Sequence, residues 1–340
     1  MRADRAEPER HGFGVSRILL SRTDRIGDLI LSTPAIATVR ASFPDAHVTM
    51  ITSPYNRVVM ERNSDVDELV DLPREIRADV FGGQFRGYDL AVALAPRATD
   101  INLVGATRAR VRVGYTYVRR WFARLTARLS LNRVMISPAD PDLCERDPDR
   151  VVPHEVDQLL ELVALGGARV RKTALRLDVT AEDRAAIAYF PRDPIVMHIG
   201  ERWFTGGSTL ESTLRLATEL RALGPPLVIS VAEESDNRAQ AFEADGHVVA
   251  RKLPFHDWAA LFERARCVVT VDTGATHVAS AVRRPTLVAF EHRYFRLNSQ
   301  EWAPYGVPSV LVRKPGSEDD ASLATFRAQI VDGVRELIDA

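Results

Sequence analysis

Short apolar runs alternate with amphipathic stretches along the first half of the chain. Arg17–Ser21 (RILLS) has the pattern of a buried strand, and apolar residues at positions 30, 35, 36 and 39 recur at helical spacing until Pro44 stops the helix. Val48–Thr52 is predicted to be the next strand. Strand, helix and strand joined by short links form a βαβ unit, which requires a parallel sheet. Tyr88–Leu94 and Val111–Val113 are predicted to add strands to that sheet.

The same pattern begins again near residue 194. Strands are predicted at Ile195–His198, Leu227–Val231, Val268–Val271 and Thr286–Phe290, with a helix over residues 210–220. The fold class is therefore α/β, with two Rossmann-like domains whose parallel sheets face each other across a cleft. We predict a disordered segment at 1–14, an N-terminal domain at 15–178, a linker at 179–193, a C-terminal domain at 194–318 and a final amphipathic helix at 319–340.

Composition narrows the class of protein. An apolar content of 46% in 340 residues is enough for two separate cores. The net charge of −1 argues against nucleic-acid binding, which needs a basic excess. Two cysteines make neither a disulfide framework nor a metal cluster. The polar N-terminus is not a secretory signal, and no stretch is long enough to span a membrane. We therefore expect a cytoplasmic protein that could meet a membrane only at its inner surface.

The segment Val271–Ala281 (VDTGATHVASA) carries the clearest chemical signal, because ligands of open α/β sheets bind at the carboxyl ends of the strands. A buried strand ends at Asp272, Thr273 and Gly274 turn the chain, and a helix follows. This geometry would aim free N–H groups at a pyrophosphate, and Asp272 would accept hydrogen bonds from sugar hydroxyls. Alternatively, Asp272 or Thr273 only caps the helix. The sequence contains neither G-x-G-x-x-G after a strand nor a P-loop motif.

Two motifs make the chain resemble glycosyltransferase family 9, the lipopolysaccharide heptosyltransferases. The second-domain signature D-[ST]-G-x-x-H-x-A is matched by Asp272, Thr273, Gly274, His277 and Ala279. The first-domain signature, R-x-D-x-[IL]-G-D followed by a T-P helix start, is matched by Arg22, Asp24, Ile26, Gly27, Asp28, Thr33 and Pro34. The resemblance spans residues 15–315 and implies the two-domain GT-B fold.

The resemblance implies roles for several residues. Asp28 would be the general base that deprotonates the acceptor hydroxyl, and the alternative is a helix N-cap. Glu233 would bind the ribose of the nucleotide, with Glu234 beside it as a competitor. His277 would contact sugar or phosphate, unless it is a packed core histidine. The family needs no divalent metal, and no Asp-x-Asp motif here proposes one, so we expect no cofactor and no metal ligands.

The segment between Asp100 and Asp140 contains arginines interleaved with aromatic residues and no acidic residue. The family's acidic, lipid-linked acceptor would suit this composition, as would an anionic membrane surface. We predict Arg25, Arg119 and Arg120 as acceptor contacts. The alternative is a solvated helix face with its arginines extended into water.

The chain departs from the family at two places near the donor. The usual lysine and W-P are missing from the loop at 200–208, where Arg202, or the backbone before Ser208, could bind phosphate instead. Ser208 also reads as the start of a capping box. Glu291 replaces a glycine, and in an active enzyme we expect it to pair with a cation such as Arg202 or Arg293, or to bond donor hydroxyls.

We predict an inverting, metal-independent glycosyltransferase. By resemblance its donor is the nucleotide sugar ADP-heptose, and its acceptor is an acidic glycan or glycolipid, such as a lipopolysaccharide core. The departures leave three alternatives: a non-catalytic sugar-nucleotide or glycan-binding relative, a GT-B enzyme with another donor, and an epimerase that cleaves UDP-sugars. The epimerase would need further acids and bases in the cleft.

Overall fold

The computed structural model describes residues 14–232 and 237–339. The N-terminal segment predicted to be disordered lies outside them, except for Gly14. The strands of the first half are β1 (Arg17–Ser21), β2 (His47–Thr52), β3 (Glu68–Asp71), β4 (Leu90–Ala93), β5 (Val111–Tyr117) and β6 (Arg133–Ser137). Its helices are α1 (Ile26–Leu31), α2 (Thr33–Ser42), α3 (Ala78–Gly82), α4 (Ala98–Ala106), α5 (Trp121–Ser130), α6 (Pro141–Arg146) and α7 (Glu155–Leu165).

The second half repeats this alternation. Its strands are β7 (Ile195–Ile199), β8 (Leu227–Val231), β9 (Val248–Arg251), β10 (Cys267–Val271), β11 (Thr286–Phe290) and β12 (Ser309–Arg313). Its helices are α8 (Ala181–Ala186), α9 (Leu210–Arg221), α10 (Asn237–Ala244), α11 (Phe255–Arg264), α12 (Gly274–Ala281), α13 (Phe295–Glu301) and α14 (Asp320–Asp339). Among the described helices, none combines the length and the apolarity needed to cross a bilayer.

Both sheets have six parallel strands and the same topology. The strand orders are β3-β2-β1-β4-β5-β6 and β12-β11-β10-β7-β8-β9. In each sheet the order in which strands are added reverses beside the first strand, β1 or β7. At such a switch point the loops diverge to opposite faces and leave a crevice at the carboxyl edge. The predicted fold class, two Rossmann-like domains, is confirmed. The predicted domain limits remain predictions; α8, within the predicted linker, packs on α11.

The helix predicted over residues 30–39 is interrupted, because Pro34 has no N–H to donate to Ile30. Ser32 ends α1 and precedes α2, which carries Pro34 in its first turn. The hydroxyl of Thr33 donates to the carbonyl of Ile30 at 2.7 Å in place of the missing bond. Helix α1 is therefore a short helix separate from α2. Its N-terminus lies at the carboxyl edge of the first sheet, directly after β1.

One apolar cluster continues from the first half into the second. It joins Leu29 and Ile30 of α1 to Ala275 and Val278 of α12, all of them buried. Direct packing of α1 on α12 therefore connects the two halves at the position of the two sequence motifs. Burial of this surface fixes how the two helix N-termini are placed relative to each other.

Candidate functional site

A cavity of about 470 Å³ lies between the two halves, where α1 and α12 begin. It is lined by Arg25, Ile26, Gly27, Asp28, Tyr55, Arg202, Asp272, Thr273, Gly274, His277, Asn298 and Trp302. A larger groove of about 910 Å³ lies between β12 and α14 and contains no residue of either motif. The smaller cavity is the candidate site, because it brings together residues about 245 positions apart that the sequence had singled out for chemistry.

The two glycines of the motifs lie in direct contact at the base of this cavity. A Cβ atom placed on Gly27 would lie 2.7 Å from Cδ2 of His277 and 3.0 Å from Cα of Gly274. Real Cβ atoms do not approach other atoms so closely without a shift of the neighbour. Gly27 is therefore required for the close approach of α1 to α12, and so for the shape of the cavity between them.

Asp28 lies in the first turn of α1, inside the helix and not at its N-cap, which is Arg25. The capping alternative for Asp28 is therefore excluded. Its Oδ1 accepts a hydrogen bond from Nη2 of Arg22 at 3.1 Å, and about a quarter of its side chain is exposed to the cavity. Burial raises the pKa of Asp28 to about 6, with Arg22 opposing the rise. A carboxyl with that pKa is largely ionised at neutral pH and still basic enough to take a proton.

Arg22 is the buried centre of a charge network behind Asp28. Its Nη2 donates to Asp28, its Nη1 to Oε1 of Glu155 at 3.0 Å, and its Nε to Oδ1 of Asp24 at 3.1 Å. Tyr115 also donates to Oε1 of Glu155, at 2.7 Å. A buried guanidinium needs such partners, since an uncompensated buried charge is costly. The network therefore fixes the orientation of the Asp28 carboxylate and sets its charge environment.

The loop after β10 has the geometry of an anion site. Thr273 is the N-cap of α12, but its hydroxyl bonds the carbonyl of Val271 and neither it nor Asp272 caps the helix with its side chain. The first N–H groups of α12 therefore face the cavity without a side-chain cap. Arg202 reaches across to Asp272, with Nη1 at 2.6 Å from its carbonyl and 3.3 Å from Oδ2. Burial raises the pKa of Asp272, and Arg202 opposes that rise.

His277 is both packed and on the cavity wall. It is buried in α12, and burial lowers its pKa to about 3, so the imidazole is neutral. Its Nδ1 has no hydrogen-bond partner within the described residues. A buried ring nitrogen without a partner costs free energy unless a ligand or water satisfies it. His277 is therefore a buried histidine that also lines the cavity, and its contact with sugar or phosphate remains a prediction.

The sequence predicted that Glu291 would pair with a cation such as Arg202 or Arg293. The cation in the structure is instead Lys314. Oε1 of Glu291 accepts from Nζ of Lys314 at 2.8 Å and from the hydroxyl of Thr205 at 2.9 Å. Lys314 is fully buried and also donates to the carbonyls of Arg202 and Thr205. The sequence could not place Lys314 here, because it lies more than 100 residues after the loop it holds. The carboxylate is thereby neutralised and braces the loop at 200–208.

Glycine at position 206 is explained by the same contact. A Cβ there would lie 2.1 Å from Oε2 of Glu291, and Gly206 has a φ of +71°.

The N-cap of α9 is Thr209 and not Ser208, which the sequence suggested. The Thr209 side chain accepts a hydrogen bond from the N–H of Ser212. The Ser208 hydroxyl is buried against Thr213 and does not line the cavity.

Comparison with known proteins shows similarity to one family over the C-terminal part of the chain. Residues 227–321, which include the Asp272–His277 motif, match the family model described as glycosyltransferase family 9 (heptosyltransferase). A lipopolysaccharide heptosyltransferase 3 of Escherichia coli is 22% identical over 296 residues, which is 79% of this chain and 83% of that protein.

Solved structures agree on the fold. A family 9 glycosyltransferase from Veillonella parvula has a TM-score of 0.74 at 16% identity, covering 96% of this chain and 98% of that one. The ADP-heptose lipopolysaccharide heptosyltransferase II of E. coli has a TM-score of 0.71 at 15% identity, covering 95% and 98%.

The chain is thus similar to glycosyltransferase family 9, whose model matches it over residues 227–321. It has the GT-B fold of that family and is a transferase. In this chain, Asp28 and the Asp272–His277 segment line one cavity. Arg25 and Arg202 lie at the same cavity. Both are exposed, and the side chain of Arg25 has no ion-pair or hydrogen-bond partner in the described ranges.

Other predicted contacts lie elsewhere. Arg119 and Arg120 do not line the cavity; Arg119 pairs with Asp140 and Asp142, which follow the acid-free segment of the sequence. Their roles at the acceptor remain predictions. Glu233, predicted at the ribose, lies outside the described residues, as does its competitor Glu234.

The sequence reasoning missed three cavity residues and two supporting ones. Tyr55, Asn298 and Trp302 line the cavity from loops and from α13, outside either motif. Glu155 and Lys314 act through Arg22 and Glu291. No local pattern in the sequence identifies any of the five, because each gains its place only through packing between distant segments.

Proposed function

We propose that this family 9 enzyme transfers heptose from ADP-heptose to an acidic saccharide acceptor, such as a lipopolysaccharide core, with inversion at the anomeric carbon. The observation that carries the proposal is the meeting of a raised-pKa carboxylate, Asp28, and the α12 N-terminus in one cavity. The donor and acceptor follow the names of the relatives, which are lipopolysaccharide and ADP-heptose heptosyltransferases.

Asp28 acts as the general base in this reaction. It takes the proton of the acceptor hydroxyl while that oxygen forms a bond to the anomeric carbon. The bond from the anomeric carbon to the phosphate oxygen breaks, and ADP leaves with the electron pair from the opposite face. Because its pKa is about 6, roughly nine-tenths of Asp28 is ionised at pH 7.

The leaving diphosphate is stabilised without a divalent metal. The N-terminal N–H groups of α12 and the guanidinium groups of Arg202 and Arg25 supply positive charge at the cavity. Asp272 accepts from donor hydroxyls, and the free Nδ1 of His277 offers a further polar contact. Lys314 neutralises Glu291, so that carboxylate does not repel the phosphates.

An adjoining groove fits an acidic acceptor. It has a volume of about 320 Å³, shares Tyr55 with the main cavity, and is lined by Arg74 and Arg97 at the carboxyl edge of the first sheet. Both arginines are exposed. An acceptor carboxylate or phosphate held there would lie on the same side of the cleft as Asp28.

The test is transfer by the purified protein. With ADP-heptose and a core oligosaccharide acceptor, we expect ADP release and an inverted linkage by NMR, both insensitive to EDTA. Asp28→Asn should lower turnover by about 10²–10⁴-fold while keeping the donor affinity measured by calorimetry. Asp45→Asn, an exposed aspartate of the same half, is the matched control.

Two results separate the parts of the proposal. Near-normal transfer by Asp28→Asn would remove that residue from catalysis. Binding of a UDP- or GDP-sugar but not of ADP-heptose, in a thermal-shift panel of nucleotide sugars, would overturn the donor while leaving the enzyme class intact.

A further inference from the structure

The helix α5 presents large apolar side chains to solvent. Trp121, Phe122, Leu125 and Leu129 are 70%, 64%, 55% and 82% exposed, respectively. At about 100° per residue, these four positions fall within one arc of the helix, opposite Ala127, its one fully buried residue. We call these four side chains the α5 ridge. Solvent-facing aromatic and aliphatic residues grouped on one helix face indicate an interaction surface.

Arginines flank the ridge on one side. Arg120 and Arg128 are exposed, and neither forms an ion pair with a described residue; Arg120 instead stacks on Tyr117, 5.4 Å from the ring centroid. Arg124 lies between them along the helix. The helix itself contains no acidic residue. A helix with an apolar face, a cationic flank and no carboxylates complements a surface whose interior is apolar and whose outer layer is anionic.

We propose that α5 lies in the interface of an anionic lipid bilayer, with its ridge among the acyl chains and its arginines at the headgroups. Charge complementarity favours lipid over another protein, because the cations border an apolar strip with no acid to specify a protein partner. The length also fits: ten residues lie along a surface and cannot span it.

The helix is placed so that docking would bring the cleft to the lipid. It follows β5 directly, at the carboxyl edge of the first sheet that also carries Asp28. Tyr117, at the end of β5, packs against an apolar cluster that includes Leu297 of α13, the residue before the cavity residue Asn298. An acceptor anchored in the bilayer could therefore reach the site. The inference rests on the proposed function only for this consequence, and lipid binding itself is independent of donor and acceptor.

The experiment measures vesicle binding by the full chain without substrates. Flotation with phosphatidylcholine–phosphatidylglycerol vesicles, in a roughly three-to-one ratio, should recover the protein, and pure phosphatidylcholine should recover much less. Arg120→Glu with Arg128→Glu should lower the partition constant at least about 25-fold, since each cation near the surface contributes about five-fold. Arg221→Glu, an exposed arginine of the second half, should leave it unchanged.

The ridge itself is tested by Leu125→Ser with Leu129→Ser, which should weaken binding about ten-fold or more. Tyr189→Ser, an equally exposed residue elsewhere, is the control. Trp121 fluorescence should shift to the blue on anionic vesicles and be quenched by brominated lipid, and Trp121→Phe should remove most of that change. Circular dichroism checks that each variant is folded.

Two outcomes would overturn the proposal. One is full binding by both double variants, which would place lipid contact elsewhere. The other is absence of binding to anionic vesicles; a change of oligomeric mass in the ridge variant would then make the ridge a contact between copies of the chain.

Discussion

The charge network behind Asp28 predicts that Glu155 tunes the base without touching substrate. Glu155 and Asp28 are bonded to different nitrogens of the Arg22 guanidinium, and Glu155 contributes to the raised pKa of Asp28. Glu155→Gln keeps the size of the side chain and can still accept from Arg22 and Tyr115. It removes one negative charge, so the pKa of Asp28 should fall.

The size of the effect follows from the geometry. Two carboxylates that share one guanidinium lie within roughly 8 Å, where like charges repel by about 2 kcal/mol at an effective dielectric constant of about 20. That free energy corresponds to about 1.5 pH units. The acidic limb of the pH–rate profile should therefore move from about pH 6, the pKa of Asp28, to about pH 4.5.

The direction of the change in the pH dependence follows from the role of Asp28 as a base. The base acts only when it is ionised, so activity is present above its pKa and is lost as the pH falls through it. At pH 5, the wild type should retain roughly a tenth of its plateau kcat/KM and the variant roughly three quarters. The plateau itself should fall modestly, because a less basic carboxylate takes a proton less readily.

The assay is the pH dependence of kcat/KM for the acceptor between pH 4 and 8, at saturating donor. Glu161→Gln, an exposed glutamate on the same helix, is the control and should leave the profile in place. Thermal unfolding at each pH shows that the protein is folded. An acidic limb that stays near pH 6 in Glu155→Gln, or that moves upward, would refute the reasoning that the charge of Glu155 adds to the burial that raises the pKa of Asp28.

Two further predictions concern packing around the cavity. Gly27→Ala should lower the free energy of unfolding by about 1–3 kcal/mol, because its Cβ would overlap α12, and urea unfolding would measure it. Gly274→Ala should cost less, since the atom nearest to its Cβ, the backbone N of Gly27, would lie 3.5 Å away; equal losses would contradict the packing argument. Lys314→Met should raise the donor KM and lower the free energy of unfolding by about 1–3 kcal/mol, by leaving Glu291 unpaired and the 200–208 loop unbraced. Adding Glu291→Gln should restore part of the stability, and no recovery in the double variant would show that the pair is not the cause.

The strands that sequence patterning found are those in the interior of each sheet. β1, β2, β4, β7, β8, β10 and β11 are almost wholly buried, so their apolar runs are continuous and easy to read. The four missed strands, β3, β6, β9 and β12, are the four sheet edges. Edge strands are only partly buried, and their mixed composition resembles that of loops. β5 was found only in part, because its Gly114–Tyr117 end is not a uniform apolar run.

The α/β class, the resemblance to glycosyltransferase family 9 and the two motifs around Asp28 and Asp272 could all be predicted from the amino-acid sequence. These are local features: a strand, a turn and a helix start are set by neighbouring residues. Three contacts became evident from the folded structure alone: Gly27 packs against Gly274, Arg22 joins Asp28 to Glu155, and Lys314 neutralises Glu291. Each of these contacts depends on burial and on the packing of segments distant in the chain, and the charges of a buried pair leave no mark on the spacing of either partner in the sequence.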